Sequence, residues 1–228
     1  MDTVTYDVVY SKESDAIKAL LTQRGVNALC HFTTFENLCS MVEMGGLVSR
    51  ATLGKYGVQV DIQDPMRLEG GHFINLSIQR PNLYLWSKFA ERYPQKEWCL
   101  LMLNPENCQR DGVKFTTANA TAYRVRSLGT NAGVIGLKAL FADRVVDTIG
   151  EALRTPGLPS NYPTSIQAEV LCPEPIAWAD VYKVVVFSDV AKRRLVEMSG
   201  IAETMVEVSP NYFPEIIQAR ASVLCVTA

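Results

Sequence analysis

The sequence predicts a mixed α+β fold, and three observations support this. Short apolar runs with the alternation typical of β-strands are interspersed with segments that have the period of a helix, but without the regular order of βαβ units. The chain has 228 residues, 48% of them hydrophobic, which is enough for one large domain or at most two small ones. Glycines and prolines mark the boundaries between the segments.

In the first part of the chain, two helices flank a strand. The apolar residues of 14–24 lie on or near one face of a predicted helix. A short buried strand is predicted over 28–31, and Thr34 then suits the N-cap of a helix that ends near a Gly-Gly pair. A polar connection containing glycines is predicted over 50–71.

The remaining elements are mostly strands. Strands are predicted over 73–78, 98–103, 166–172 and 182–187, and a proline closely follows each of the first three. Helices are predicted over 134–142 and 189–199, and a loop rich in Gly and Pro ends near residue 163.

The charge is balanced overall but uneven along the chain. The formal net charge of −2 gives no whole-protein basic signal for nucleic acid. Residues 80–154, however, hold eleven Lys/Arg against seven Asp/Glu, so this middle third is suited to face a polyanion. An ordinary solvated surface is the alternative interpretation.

The six cysteines include no CxxC pair, so a zinc site is not expected. Cys30, Cys172 and Cys225 lie in apolar runs and are predicted to be buried free thiols. No signal peptide is expected, and no apolar stretch approaches the roughly 18 residues of a membrane span. We therefore expect a cytoplasmic protein with reduced cysteines and no membrane partner.

Residues 165–171, SIQAEVL, place Gln167 and Glu169 within an otherwise apolar, strand-like run. Residues two apart on a strand point to the same face, so these two side chains would lie together. One interpretation is the solvent face of an edge strand. The other is a carboxylate aimed into a cleft beside an amide that binds substrate, since a loop containing Pro and Gly leads into the pair.

Two other segments carry polar residues suited to binding. His31 and Thr33 alternate outward from a predicted buried strand and could hydrogen-bond sugar hydroxyls or an amide, although a structural role is the alternative for His31. Arg67 lies in the polar connection, where its guanidinium could bind a phosphate or pair with a neighbouring acidic residue. Ser77 lies on the strand predicted over 73–78.

These segments contain short motifs in a fixed order. The motifs are His31-Phe32-Thr33, Asn37-Leu38, Gly46-Leu47-Val48-Ser49-Arg50, Asp64, Arg67-Leu68-Glu69-Gly70, Asn75-Leu76-Ser77-Ile78, Pro81-Asn82, Phe115-Thr116-Thr117, Asn119-Ala120 and Gln167-Ala168-Glu169. Together they resemble the DarT family of nucleic-acid ADP-ribosyltransferase toxins, over about residues 28–190. The last triplet also resembles the Gln-x-Glu signature of other ADP-ribosyltransferases.

The resemblance implies a single α+β domain over residues 1–228, with two sheets and a cleft for NAD+ between them, and no metal. It also implies a reaction in which the bond between ribose and nicotinamide breaks and ADP-ribose passes to a base of single-stranded DNA, most often thymidine. Positive charge then develops on the ribose, and a fixed carboxylate stabilises it. By this resemblance Glu169 takes that role, and Gln167 orients the acceptor base or the ribose.

The same resemblance implies the remaining NAD+ contacts. His31 and Thr33 match the first NAD-binding strand, and Ser77 matches the nicotinamide pocket. Arg67 matches the family's functional arginine, which is expected to contact a phosphate of NAD+ and assist catalysis. The thymine ring nitrogen must lose a proton to attack, and either Glu169 or Arg67 is the base.

The acceptor base must be reached outside a duplex, on a strand bound by aromatic and basic side chains. The candidate contacts lie in the basic middle third: Arg80, Tyr84, Asn119, Tyr123, Arg124 and Arg126. Core packing is the alternative for the aromatic residues.

The resemblance further implies a toxin of a bacterial toxin–antitoxin or anti-phage system, with a macrodomain-type antitoxin that removes the modification. Residues 119–161 match the family only at their start, and substrate loops lie there in DarT proteins. RNA or a guanine base therefore remains an alternative acceptor, which the 2′-hydroxyl would distinguish in the case of RNA. A non-catalytic module that binds NAD or nucleic acid on the same fold is the third possibility.

Overall fold

The structure is a computed structural model that describes residues 7–57, 72–122, 125 and 130–219. Most of its strands belong to one sheet: β1 (Leu29–Thr34), β3 (Phe73–Ile78), β4 (Trp98–Leu103), β5 (Lys114–Thr116), β6 (Asn131–Ala132), β9 (Glu169–Pro173), β11 (Val181–Val186) and β12 (Val206–Val208). Their order across the sheet is β12-β11-β4-β1-β3-β9-β5-β6. Two short pairs lie outside it: β2 (Gly46–Leu47) with β10 (Ile176–Ala177), and β7 (Arg144–Asp147) with β8 (Gly150–Leu153).

The α-helices that accompany the sheet are α1 (Ser14–Arg24), α2 (Phe35–Glu43), α3 (Arg50–Lys55), α4 (Leu83–Arg92), α5 (Gly133–Ala139) and α6 (Asp189–Ser199), and residues 215–219 are also helical. The mixed α+β prediction is confirmed. The elements predicted over 14–24, 73–78, 98–103 and 189–199 have the predicted bounds. Helix α4 and the β7–β8 hairpin were not predicted.

Side-chain caps begin several of the helices. The Thr34 hydroxyl accepts a hydrogen bond from the Asn37 N–H at 3.4 Å, as the sequence predicted for α2. The Ser49 hydroxyl accepts from the Thr52 N–H at 3.3 Å, and this cap begins α3. The prediction of a polar connection from residue 50 is therefore wrong for residues 50–55.

Apolar side chains cover both faces of the sheet. The larger cluster joins α1, α2, α5 and α6 to the inner residues of the strands, among them Leu29 and Leu101. The smaller cluster packs α4 against the other face and is rich in aromatic rings, with Phe32 stacked on Trp86 at 5.2 Å between centroids. Because side chains alternate along a strand, the packing of Phe32 against this cluster directs its neighbours His31 and Thr33 to the opposite face.

The sheet divides between its two central strands. β1 pairs with β3 only through Leu29↔Ile78 and Cys30↔Ser77. Beyond these pairs β1 continues along β4 as far as Thr34, while β3 pairs with β9. The result is two four-stranded halves that share two residue pairs and then separate.

Hydrogen bonds to Glu174 anchor the start of α3 to the end of β9. The Ser49 backbone N–H and the Thr52 hydroxyl both donate to the Glu174 carboxylate, the latter at 2.6 Å. Nearby, β2 passes close to β10: a Cβ on Gly46 would lie 2.3 Å from the Ile176 carbonyl oxygen, so only glycine fits this crossing. The segment that leads into α3 is thereby fixed against the strand that carries Glu169.

None of the helices within these described ranges is long and apolar enough to cross a membrane.

The Glu174 anchor predicts a pH-dependent contribution to stability. Burial opposes ionisation of Glu174, but hydrogen bonds from Ser49 and Thr52 outweigh it and place the pKa of this carboxyl below its usual value of 4.5. We expect Glu174→Gln to lower the free energy of unfolding by about 1 to 2 kcal/mol at pH 7. Because the folded-state pKa is lowered, the difference from the native chain should shrink as the pH falls below 4.5 and through the lower pKa.

Urea unfolding at a series of pH values measures this difference. Glu197→Gln is the matched control, since Glu197 is an exposed acidic residue of α6, and it should leave the native stability nearly unchanged. A Glu174→Gln deficit that stayed constant down to pH 3 would contradict the assignment of an ionised, hydrogen-bonded carboxylate.

Candidate active site

Glu169 is the first residue of β9 and is only 4% exposed. Its Oε2 atom accepts hydrogen bonds from the Ala120 backbone N–H at 2.9 Å and from the Asn75 side-chain amide at 3.2 Å. A buried carboxylate is costly unless it is hydrogen-bonded, so these two donors stabilise it in one orientation. The interpretation of Glu169 as a polar residue on a solvent-facing edge strand is therefore wrong.

His31 lies at the point where β1 and β3 separate, one residue beyond the Cys30↔Ser77 pair. Its Nδ1 is 3.0 Å from the backbone carbonyl oxygen of Asn75. A carbonyl oxygen only accepts, so Nδ1 carries the hydrogen, and Nε2 is then the acceptor of the neutral ring. Asn75 thus contacts His31 through its backbone and Glu169 through its side chain, and it connects the two halves of the site.

Gln167 is 7% exposed and lies in a turn, because β9 begins only at Glu169. The prediction that both side chains lie on one strand is therefore wrong. The Gln167 amide is instead held by the turn of the β7–β8 hairpin: Nε2 donates to Asp147 at 3.1 Å, and Oε1 accepts from the Thr148 hydroxyl at 3.0 Å. These contacts cross about twenty residues of sequence and override the local alternation.

Thr33 and Ser77 lie on the two strands that border the division of the sheet. Thr33 is 3% exposed and pairs with Cys99 on β4. Ser77 is 8% exposed and pairs with Cys30. The structure therefore places His31, Thr33 and Ser77 on the strands that diverge, with Glu169 on the strand beside β3.

Three of the predicted nucleic-acid contacts lie within the described residues. Arg80 follows β3, and its guanidinium carbon is 4.6 Å from the centroid of the Tyr162 ring. Burial lowers the pKa of Arg80, and its Nε has no hydrogen-bond partner among the described residues. Tyr84 is 51% exposed on α4, which excludes core packing for this ring. The Asn119 side chain accepts from Thr121 and shapes the turn that presents the Ala120 N–H to Glu169.

Four further predicted residues lie outside the described ranges: Arg67, Tyr123, Arg124 and Arg126.

Sequence reasoning missed three residues of this network. Asn75 was part of a motif but was not assigned a role; its alternation with Ser77 on one strand was the signal that could have placed it on the same face. Asp147 and Ser165 were not singled out. Nothing local in the sequence connects Asp147 to Gln167, because their contact forms only when the hairpin folds against the loop before β9.

The cysteines in the described part of the chain show no sign of a reactive thiol. Burial raises the pKa of Cys30 and of Cys172 to about 12, so both thiols stay protonated at neutral pH. Both are free, as predicted, while Cys225 lies outside the described residues. Among the residues that the structure describes, no group of three or more His, Cys, Asp or Glu side chains could hold a metal ion.

Comparison with known protein families identifies the chain. A family model described as "ssDNA thymidine ADP-ribosyltransferase, DarT" matches residues 30–214. The match covers most of the chain and defines its class, that of the ADP-ribosyltransferases. The chain belongs to the DarT family, as the order of the motifs predicted. No curated protein matches it by sequence.

Solved structures show the same fold. Thermosipho africanus DarTG in complex with ADP-ribose matches with a TM-score of 0.55 at 14% identity, over 82% of this chain and 51% of that one, so the chain spans about half the length of that protein. Thermus sp. 2.9 DarT in complex with NAD+ matches with a TM-score of 0.54 at 14% identity, over 82% of this chain and 97% of that one. The same Thermus protein in complex with ADP-ribosylated ssDNA matches with a TM-score of 0.50 at 12% identity, over 83% and 97%.

The contact between Asn75 and Glu169 predicts different responses to two substitutions. Asn75→Ala should cost about 1–3 kcal/mol of stability at pH 7, because it removes a donor to a buried acceptor. Asn75→Asp should cost more at pH 7, because it places a second carboxylate beside Glu169. It should recover part of that loss at pH 5, where the two carboxylates can share a proton. Urea unfolding at both pH values measures this, and the same pH dependence in both variants would refute it.

Proposed function

We propose that this chain transfers ADP-ribose from NAD+ to a thymine base of single-stranded DNA. The observation that carries the proposal is the buried Glu169 carboxylate, held by two donors beside the line where the sheet divides. Membership of the DarT family supports the reaction and the acceptor. The complexes of Thermus sp. 2.9 DarT with NAD+ and with ADP-ribosylated ssDNA support this pair of substrates.

The electrostatics of Glu169 suit the bond-breaking step. When the bond between ribose C1′ and the nicotinamide nitrogen breaks, nicotinamide leaves as a neutral molecule with the bonding electrons, and positive charge develops on the ribose ring. An oriented carboxylate in a site of low dielectric stabilises that charge more strongly than water does. The Ala120 N–H and the Asn75 amide already hold Glu169 in place, so little reorganisation is needed when the charge appears.

The residues at the division of the sheet fit a ribose and an amide. His31 donates through Nδ1 to the Asn75 carbonyl, which leaves Nε2 as the acceptor of the neutral ring and suits it to a ribose hydroxyl. Thr33 lies two residues further on the same strand, and Ser77 faces the nicotinamide side in this proposal. Arg67 completes the set through the family resemblance, as the contact to an NAD+ phosphate.

The acceptor step forms a bond between the thymine ring nitrogen and ribose C1′, and the nitrogen gives up its proton. Glu169 and Arg67 are the two candidate bases in this proposal. Gln167, two residues before Glu169, orients the base. Arg80, stacked on Tyr162, and the exposed Tyr84 are the proposed contacts to the strand, together with Asn119, Tyr123 and Arg124.

The chain acts in this proposal as the toxin of a toxin–antitoxin pair in the bacterial cytoplasm, with a macrodomain-type antitoxin that removes the modification. The similarity to Thermosipho africanus DarTG supports such a partner.

The first experiment tests Glu169. The purified chain is incubated with NAD+ and matched DNA and RNA oligonucleotides, and mass spectrometry detects the added ADP-ribose and locates it by fragmentation. Glu169→Ala should lower the rate of transfer by about 10²–10⁴-fold, because it removes the group that stabilises the developing charge. The same substitution should abolish growth inhibition on expression in bacteria.

Glu197→Gln serves again as the control and should transfer at the native rate, since Glu197 is exposed on α6. Transfer to the RNA oligonucleotide but not to the DNA oligonucleotide would contradict DNA as the acceptor and show that RNA is the acceptor. Absence of any product from the native chain, with either polymer, would overturn it.

A second experiment tests Arg80 as a phosphate contact. Arg80→Ala should raise KM for the oligonucleotide without changing KM for NAD+. It should also reduce the slope of log KM against log salt by about one, as expected when one phosphate contact is lost. Arg194→Ala is the matched control, because Arg194 is an exposed arginine of α6 paired with Glu97. An unchanged salt slope in Arg80→Ala would exclude this contact.

A further inference from the structure

The turn of the β7–β8 hairpin contacts the segment that leads into Glu169. Asp147 is the last residue of β7, and its two carboxylate oxygens bind two different residues of that segment. Oδ1 accepts from Gln167 Nε2 at 3.1 Å, and Oδ2 accepts from the Ser165 hydroxyl at 3.0 Å. The Ser165 oxygen in turn accepts from the Gln167 backbone N–H at 3.0 Å. The three hydrogen bonds form a closed ring.

This ring fixes which end of the Gln167 amide faces the hairpin. An ionised carboxylate only accepts hydrogen bonds, so Asp147 must face the nitrogen of the amide. The oxygen of the amide then lies on the other side, where it accepts from the Thr148 hydroxyl at 3.0 Å. Gln167 is 7% exposed, so little water is available to compensate for a reversed amide.

The described hydrogen bonds use one of the two amide hydrogens and one of the two lone pairs of Gln167. One donor and one acceptor therefore remain, and Asp147 determines which side of the amide carries each of them. This arrangement decides which groups of a base the amide can hydrogen-bond. Thymine has a carbonyl acceptor at the position where cytosine, a ring of the same size, has an amine donor. An amide held in one orientation distinguishes these two groups, whereas an amide free to rotate by 180° accommodates either.

We propose that Asp147 is a positioning residue for acceptor recognition, and that it sets the selectivity between bases by fixing the orientation of the Gln167 amide. The inference rests on the proposed function and deepens it. Asp147 does not contact the reacting atoms, since it acts through Gln167, two residues before the Glu169 carboxylate. The loss of this orientation affects the choice of base more than the breaking of NAD+.

The test compares rates of ADP-ribose transfer to two oligonucleotides that differ only in one thymine replaced by cytosine. Asp147→Asn keeps the shape of the side chain, but asparagine can present either its carbonyl oxygen or its NH2 group to Gln167. The Gln167 amide is then no longer held in one orientation. We expect the ratio of kcat/KM for thymine over cytosine to fall by roughly tenfold. Thr148→Ala removes the other contact of the amide but leaves the Asp147 carboxylate in place, and a hydroxyl can donate or accept, so this variant should keep a ratio close to the native value.

Glu151→Gln is the matched control. It removes a carboxylate from the same hairpin, but Glu151 is exposed and pairs only with the exposed Arg144 among its described contacts, so the ratio should stay at the native value. A purely structural role for Asp147 would lower the rates on both oligonucleotides equally and leave the ratio unchanged, which would overturn the inference.

The outcomes separate the two proposals. If the native chain selects thymine and Asp147→Asn selects it equally well, the inference fails and the proposed function stands. A native chain that modifies thymine and cytosine at equal rates would also overturn the inference alone. If the native chain modifies neither oligonucleotide, the proposed function fails, and the inference fails with it.

Discussion

Two residue pairs between β1 and β3 hold the halves of the sheet together, and the rest of the site depends on how short this contact is. Had β1 continued to pair with β3, the backbone groups along the two diverging edges would have hydrogen-bonded to each other and left no opening. Instead β1 pairs with β4 along its whole length and β3 pairs with β9, and a hydrogen bond joins His31 to Asn75 across the opening. On the face of the sheet that α4 covers, Phe32 stacks on Trp86 and holds β1 in place. The strand can therefore lose β3 as a neighbour beyond Cys30 and remain ordered.

Glu169 and Gln167 are buried at this opening, and the strands supply only part of the hydrogen bonds that these two side chains require. A turn supplies the backbone N–H that Glu169 accepts, and a hairpin supplies the carboxylate that Gln167 faces. Burying these groups without partners would cost several kcal/mol. The loops around the sheet therefore belong to the structure of the site, and their folding is coupled to the placement of the Glu169 carboxylate.

The sequence predicted those features that local physics decides. Alternation and helical periodicity were sufficient for α1, β3, β4 and α6, since each carries its own pattern and its own stop signal. The order of the motifs predicted the family, which the family model confirms. It also pointed to Glu169, which the structure shows to be buried and hydrogen-bonded, while its role in the reaction stays a prediction. Features that depend on distant residues were missed. Helix α3 relies on Glu174, more than a hundred residues away, and the turn at Gln167 relies on Asp147. The period of two in SIQAEVL therefore extended the predicted strand too far.

The strand β9 carries Glu169 at its first residue, and Glu174 follows directly after its last. Side chains on a strand alternate, so a shift of β9 by one residue against β3 would turn Glu169 away from Asn75, and it would also pull Glu174 away from the cap of α3. The hydrogen bonds of both carboxylates, Glu169 and Glu174, thus require the same register of β9 against β3. A one-residue shift of β9 would therefore break both contacts, so the anchor of α3 and the placement of Glu169 depend on the same register.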